Sequence, residues 1–557
     1  MTEPKSLAMP TPPRLPAFAR RLRFLPDPAL KLGCHIVAGP GSGKSRLMGR
    51  IIGWQAFLRQ QPVVILDPSG GIVQNIVDKI SRLSPAERQH LWPRLRYVDV
   101  GASDYIVSTP LYSRLGNDTL FAVANRFPAV LKRQDPHLQS APILGWNSLY
   151  ECAIYAGQIA AGLGRQLDFV ADLIDHPGQY KNELRQVVAR YPETQRAVQY
   201  FRELMDPNSG TLRERRTASF RNKLLPFLAD PTLLASFAAA QPGVDWEAVV
   251  AQKQMVIIDF QRELDPERRQ FKMIWWFRSL IDFIKTRGMT GRGQEIFFLI
   301  DEVTQLLGQR SGEGNSVLAE DLEELVAVLA RNYGVNLFIA HQNLSQVDER
   351  VRNILMQCGT QIIGNIANPD DAEYLARQFL TYDPYRVKKR EPIWAGVQQL
   401  SDHGSLLGYS EPEIIDYRTV EFTPEEQLLR MTAKFRLPRF QFQVRPALAE
   451  GTVARRLYRL SIEQLDAGQY PDSGQVNHIL AHLRQKDGVA MASVLKTRQA
   501  ELSQEKGQPA LTQPYPDKPP KRTATIKDDA HPLPLFSQEQ VSQEDEDDDD
   551  ETFRDPA

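Results

Sequence analysis

The apolar run Cys34-His35-Ile36-Val37 breaks into Ala38-Gly39-Pro40-Gly41-Ser42-Gly43-Lys44-Ser45, and no other stretch of this 557-residue chain constrains its fold as tightly. A strand that runs into a glycine-rich turn ending in Gly-Lys-Ser, with a helix directly after it, is a phosphate-binding loop. The glycines let successive backbone N–H groups point into one concavity. On this reading Gly39, Pro40, Gly41, Ser42, Gly43, Lys44, Ser45 and Arg46 form the nucleotide cradle. Lys44 reaches the β- and γ-phosphates, and the Ser45 hydroxyl ligates Mg²⁺. Ala38 stands where the strict pattern has glycine, a position that tolerates alanine. The spacing predicts a helix from Arg46 to Gln60, with Leu47, Ile51, Ile52, Gln55 and Leu58 on one face and its positive end toward the phosphates.

Composition places the chain among ordinary soluble globular proteins, with 42% hydrophobic and 24% charged residues. Its formal net charge is −1, but Glu544 to Glu551 is a run of eight carboxylates, and removing those eight charges leaves +7. A modestly basic body with an acidic tail is compatible with a polyanionic partner. Three widely spaced cysteines, Cys34, Cys152 and Cys358, make neither a disulfide framework nor a zinc spacing and point to a reducing compartment. The proline- and arginine-rich start has no apolar core of a secretory signal. The most apolar stretches, Ile143 to Leu163 and Val326 to Ala340, are interrupted by Glu151 and by Arg331 with Asn332, so no membrane span is expected.

Residues 1–28, with Arg20, Arg21 and Arg23 clustered among prolines, read as a flexible arm. From Lys31 strands and helices alternate. Val63-Val64-Ile65-Leu66-Asp67 is an unbroken apolar run of the kind buried on both faces of a parallel sheet, and it ends in the turn Asp67-Pro68-Ser69-Gly70-Gly71. A helix follows over 72–83, and Arg96 to Val100 is a further strand. From Leu111 to Trp246 the apolar spacing is helical, which predicts an all-α inserted domain. Alternation resumes with strands at Met255–Phe260, Ile296–Ile300, Asn336–Ala340 and Gln361–Ile366, and with helices over 266–286, 318–331 and 369–380. Such alternation predicts an α/β fold with a mainly parallel sheet. The expected organisation is a core over 29–110 and 247–420, the inserted domain over 111–246, an accessory region over 421–503 and a disordered acidic tail over 504–557.

A phosphate-binding loop hydrolyses nothing without groups that hold the metal and activate water. Phe297-Phe298-Leu299-Ile300-Asp301-Glu302 supplies them: an apolar strand ending in two acids, at the carboxyl end where open α/β sheets bind ligands. Asp301 is the candidate second Mg²⁺ holder, and Glu302 the group that orients and polarises the attacking water. Little covalent chemistry is then left to the protein, so ATP hydrolysis rests on positioning and charge neutralisation. Gln342, directly after strand 336–340, is placed to sense the γ-phosphate, whereas His341 reads as structural. Arg331 closes the helix before that strand. It fits a favourable contact with the helix dipole, or a finger donated to a neighbouring subunit.

These pieces resemble the HerA–FtsK superfamily of P-loop ATPases, and within it the VirD4/TraG/TraD-type coupling proteins of conjugative DNA transfer. The likeness is carried by Asp67-Pro68-Ser69-Gly70, Ile300-Asp301-Glu302, the helix ending in Arg331 before Gly334, and Ala340-His341-Gln342. It extends to Asn365 followed by Asp370-Asp371-Ala372-Glu373-Tyr374-Leu375-Ala376, and spans roughly Lys31 to Arg418. The resemblance implies a RecA-like core, ATP and Mg²⁺ as cofactors, a homo-hexameric ring, DNA as the translocated partner, and contact with a relaxase or secretion-channel proteins. It also implies that Arg331 acts in trans and that Gln342 is the polar sensor. Two departures stand out. The N-terminal membrane segments usual in coupling proteins are missing, which predicts a cytoplasmic protein, at most peripheral at the inner face of the membrane; and Ser69 replaces a basic residue. DNA contacts are expected at Tyr385-Arg386-Val387-Lys388-Lys389-Arg390, or at Arg213-Glu214-Arg215-Arg216 with Arg221 and Lys223. Two other readings remain: a HerA-like motor of DNA-end processing, and a nucleotide-dependent adaptor that recruits cargo to a type IV secretion channel.

Overall fold

Strict alternation along the apolar runs builds two hydrophobic layers on either side of one sheet. The computed structural model describes residues 31–53, 55–56, 60–83, 88–89, 91–114, 118–135, 143–206, 210–239, 242–288, 295–307, 316–395, 398–400, 406–409, 413–448, 453–454, 456–462 and 473–505. The arm over 1–28, the acidic run Glu544–Glu551 and Leu58 of the first predicted helix lie outside the described residues. In chain order the strands are β1 (Cys34–Val37), β2 (Val63–Asp67), β3 (Leu95–Asp99), β4 (Tyr105–Ile106), β5 (Met255–Asp259), β6 (Ile296–Ile300), β7 (Val335–His341) and β8 (Thr360–Ile363). They continue with β9 (Val387–Ala395), β10 (Gln398–Leu400), β11 (Leu406–Tyr409), β12 (Glu413–Glu421), β13 (Gln441–Arg445), β14 (Tyr458–Ser461) and β15 (Val489–Ala490). The main sheet has the spatial order β14-β13-β8-β1-β7-β6-β2-β5-β3. From β8 to β3 all neighbours are parallel. β13 then pairs antiparallel with β8 and with β14. This is the mainly parallel α/β sheet expected from the strand–helix alternation, and one strand, β7, separates the P-loop strand from the acidic strand.

Successive residues of each central strand go to opposite layers. Val64, Leu66, Val256, Ile258, Phe298, Ile300, Leu337 and Ile339 join one core. Val63, Ile65, Met255, Ile257, Phe297, Leu299, Phe338 and Ala340 join the other. The first layer is covered by the helix Pro266–Arg287 and by helices of the insertion, which run from Leu120–Gln134 to Pro231–Phe237. Asp265 caps the long helix, accepting from the backbone of Glu267 and Arg268 ahead of Pro266 at the first helical position. Phe271 on that helix meets Phe227 at 4.9 Å and Phe237 at 5.7 Å, both edge-on, and Phe227 meets Phe127 at 5.3 Å. Each such pair contributes roughly 0.5–1.5 kcal/mol beyond its buried area. The insertion and the sheet therefore share one hydrophobic core. The second layer is covered by the helices Lys44–Gly53 and Gly71–Ser81, with Val476 and Leu483 of the helix Ser473–Asp487.

Two regions depart from the expected pattern. Regular helix after the P-loop is described over Lys44–Gly53, Gln55 and Ala56 adopt a wider π-type turn, and Gln60 is not helical. The strands β13 and β14 are absent from the sequence reading, because a five-residue alternation such as Gln441-Phe442-Gln443-Val444-Arg445 is too short to separate from a loop. Beyond β8, the strands β9 and β12 form an antiparallel ribbon with Trp394, Ile415 and Tyr417 exposed, and β10 pairs with β11. The edge strand β3 is closed by Asp487, whose carboxylate accepts from the Tyr97 N–H at 2.9 Å and from Arg96 at 3.0 Å. Among the described residues no helix is long and apolar enough to cross a membrane.

Candidate nucleotide site

Parallel strands deliver all their carboxyl ends to one edge of the sheet, and the P-loop leaves β1 at that edge. The loop is anchored on both flanks: Ala38 N–H donates to the His341 carbonyl at 3.2 Å and Gly39 N–H to the Asn365 carbonyl at 2.9 Å. Gly41 (φ 71°) and Gly43 (φ 101°) take left-handed backbone that side chains resist, so these glycines are required by the turn itself. The helix then starts at Lys44 and aims its N-terminal amides at the concavity.

Lys44 is almost buried, with its ammonium 3.2 Å from Asp301 Oδ1 and in contact with Glu302 Oε1. Gln342 Nε2 donates to the same Glu302 oxygen at 2.8 Å. Four residues from the P-loop helix, the end of β6 and the end of β7 thus meet at one point. Glu302 holds φ 45°, an uncommon conformation for a side-chain-bearing residue and one that clusters at functional sites. Burial pushes the Asp301 carboxyl up to about 6 against the pull of Lys44, with Asp67 and Glu302 adding to the rise. Ser69 Oγ bridges Asp67 Oδ1 at 3.1 Å and Asp301 Oδ2 at 3.4 Å. The turn residue Ser69 therefore contacts both acids, Asp67 and Asp301. Asp67 itself accepts from the backbone of Ser69, Gly70, Ile72 and Val73, capping the helix Gly71–Ser81. That helix places Gly71 so close to Ser45 that a Cβ on it would lie 3.1 Å from the hydroxyl.

The donor set suits a hard divalent cation. Ser45 Oγ and the Asp301 carboxylate are oxygens, and Asp301 Oδ1 is buried without a well-formed hydrogen bond. Mg²⁺ fits these residues better than a soft metal, which would call for thiolate or imidazole ligands.

Arg331 is not part of this cluster. It lies exposed just before β7, at the opposite end of the strand from His341 and Gln342, which puts about 20 Å of strand between them. The helix leading to it widens into a π-turn at Leu325–Leu329, a local widening frequent at functional sites.

His341 is fully buried, and its Nε2 lies 2.7 Å from Nε2 of His35 on the P-loop strand. His35 Nδ1 donates to Gln361 Oε1 on β8 at 2.7 Å, so the two imidazoles and the amide tie β7, β1 and β8 together. Burial lowers His35 to about 4 from an ordinary 6.5. The unfolded chain therefore binds more protons between those values, and stability falls as pH drops through that window. For this group the loss amounts to roughly 3 kcal/mol by pH 4. His35→Asn is expected to show a shallower decline of melting temperature between pH 7 and pH 5 than the parent; equal slopes would place the acid sensitivity elsewhere.

One contact to the loop had no signal in the sequence. Arg439 and Phe440, which precede β13, touch Gly41, Ser42 and Gly43, with 398 residues separating Arg439 from Gly41. Neither sits in a motif, and only the antiparallel placement of β13 beside β8 brings them there.

No family model and no curated relative matches the chain. Among solved structures it is similar to the bacterial conjugative coupling protein TrwBdeltaN70, at 14% identity over 80% of this chain and 89% of that one, with a TM-score of 0.45. It is similar to the plasmid coupling protein TrwB in complex with the ATP analogue ADPNP, at 12% identity over 81% and 92%, with a TM-score of 0.44. It is also similar to VirB4 of Thermoanaerobacter pseudethanolicus, at 12% identity over 79% and 91%, with a TM-score of 0.43.

Proposed function

We propose that the chain is a P-loop ATPase that translocates DNA as a ring-forming motor of the coupling-protein kind, acting in conjugative or mobile-element transfer. The observation that carries the ATPase reading is the meeting of Lys44, Asp301, Glu302 and Gln342 beside the P-loop. Lys44, now held by the two carboxylates, turns to the β- and γ-phosphates when ATP enters. Its departure leaves Glu302 free to accept a hydrogen bond from the attacking water, while Gln342, already in contact with Glu302, fixes the angle of approach. Ser45 and Asp301 are the residues that would hold Mg²⁺, which when bound would neutralise phosphate charge. The loop amides and the helix N-terminus hold the rest of the phosphate chain. The DNA part of the reading is supported by the order and spacing of the motifs that resemble coupling proteins.

ATP turnover is expected to rise several-fold with added DNA, to lose that stimulation as salt increases, and to vanish in Lys44→Ala. Absence of stimulation by any single- or double-stranded DNA would favour the adaptor reading. One observation already leans that way: many cations of the two candidate DNA patches have acidic partners. Lys388 pairs with Glu426, Lys389 with Glu391, Arg216 with Glu203, Arg221 with Asp175, and Lys223 with Asp135.

A further inference from the structure

The turn Pro438–Gln441 closes over the P-loop from the side of β13. Arg439 Nε donates to the Gly41 carbonyl at 3.0 Å, and Phe440 N–H donates to the Ser42 carbonyl at 2.8 Å. The Phe440 ring fills the space beside Gly43, where a Cβ would come within 2.6 Å of Cδ1, and the Arg46 guanidinium stands 5.2 Å from the ring centroid. Phe440 holds φ 65°, an outlier for an aromatic residue, and its carbonyl accepts from Ile462 N–H at 2.9 Å. Three consecutive loop residues are thus gripped by two residues of a strained turn.

The grip has a direction. The C=O and N–H of one peptide point opposite ways. Holding the Ser42 carbonyl outward on Phe440 therefore aims the Gly43 N–H inward, toward the phosphates. The guanidinium of Arg439 meanwhile adds positive charge at the apex of the loop. Sheet order says which part of the reaction this affects. Asp301, Glu302 and Gln342 come from β6 and β7 on one flank of β1, whereas the turn reaches the loop from β8 and β13 on the other. The reacting γ-phosphate faces the first flank, so the turn acts on the held part of the nucleotide and not on the bond that breaks.

We infer that the Arg439–Phe440 turn is a positioning element of the nucleotide site, which presets the P-loop amides and sets affinity for a nucleoside triphosphate. This inference rests on the ATPase reading above. Arg439 is exposed, so its variants are expected to fold. Arg439→Ala should raise KM for ATP, and Kd for the fluorescent analogue mant-ATP, about tenfold, as expected for loss of one charge-assisted contact. Its kcat should stay within about twofold of the parent, because the turn lies on the flank away from Glu302 and Gln342. Arg439→Lys, which keeps a charged donor, should recover most of the affinity. Unchanged KM and Kd in Arg439→Ala, a loss confined to kcat, or no recovery in Arg439→Lys would each overturn the inference. Parent protein that binds mant-ATP without Lys44-dependent hydrolysis would overturn the ATPase reading alone, and the turn would then be judged on Kd. Failure of the parent to bind mant-ATP would overturn both.

Discussion

Glu302→Gln is expected to lower kcat for ATP hydrolysis by about 10²–10⁴-fold while leaving ATP affinity unchanged or improved. Glutamine has the shape of glutamate, so it can keep the φ 45° backbone and still accept from Gln342 Nε2 through its amide oxygen. What it loses is the negative charge that polarises water. Affinity should not suffer, since the change removes one anion from beside a triphosphate. The two quantities separate cleanly: steady-state turnover for kcat, mant-ATP titration for Kd. A drop in kcat below about tenfold would mean that another group activates the water, and Asp301 would be the next acid to examine. A large loss of affinity would mean instead that the Lys44–Glu302 contact supports the folded site itself.

Arg331→Ala is expected to cost at least about 10³ in kcat if the residue serves a neighbouring subunit, as finger arginines typically contribute 10³–10⁵. About 20 Å of β7 separates it from Gln342, too far for it to reach the nucleotide of its own subunit. Mixing makes the test decisive. Arg331→Ala subunits carry an intact P-loop, and Lys44→Ala subunits carry an intact arginine, so an interface that joins the two regains a complete site. Two inactive proteins should therefore give partial activity when combined, greatest near equal proportions. Absence of recovery at every ratio would return Arg331 to the plain role of closing a helix with a favourable charge.

Much of the fold is readable along the chain because it depends on local periods. Val63-Val64-Ile65-Leu66 and Phe297-Phe298-Leu299-Ile300 are unbroken apolar runs, which only a strand covered on both faces can bury. The P-loop is readable for a similar reason: three glycines, a lysine and a serine at fixed spacing specify backbone angles and donors within one turn. Asp301-Glu302 and Gln342 are readable as strand-end residues, since each closely follows an apolar run. The all-helical stretch inside the core shows in its period as well.

What lies between distant residues is a different matter. That β7 stands between β1 and β6, that β13 runs antiparallel beside β8, and that Ser69 reaches Asp301 depend on which strands bury one another's faces. No local spacing encodes such choices; they minimise exposed apolar area and unpaired backbone over the whole sheet. The same holds for Arg439 and Phe440 gripping the loop, for the buried His35–His341 tie, and for Arg331 standing at the far edge. The sequence by itself determined a phosphate-binding loop, its acidic partner strand and the alternating α/β plan, because each is written in neighbouring residues. Only the tertiary structure decided which side chains close that loop and from which flank, because contacts across hundreds of residues are set by the packing of the sheet.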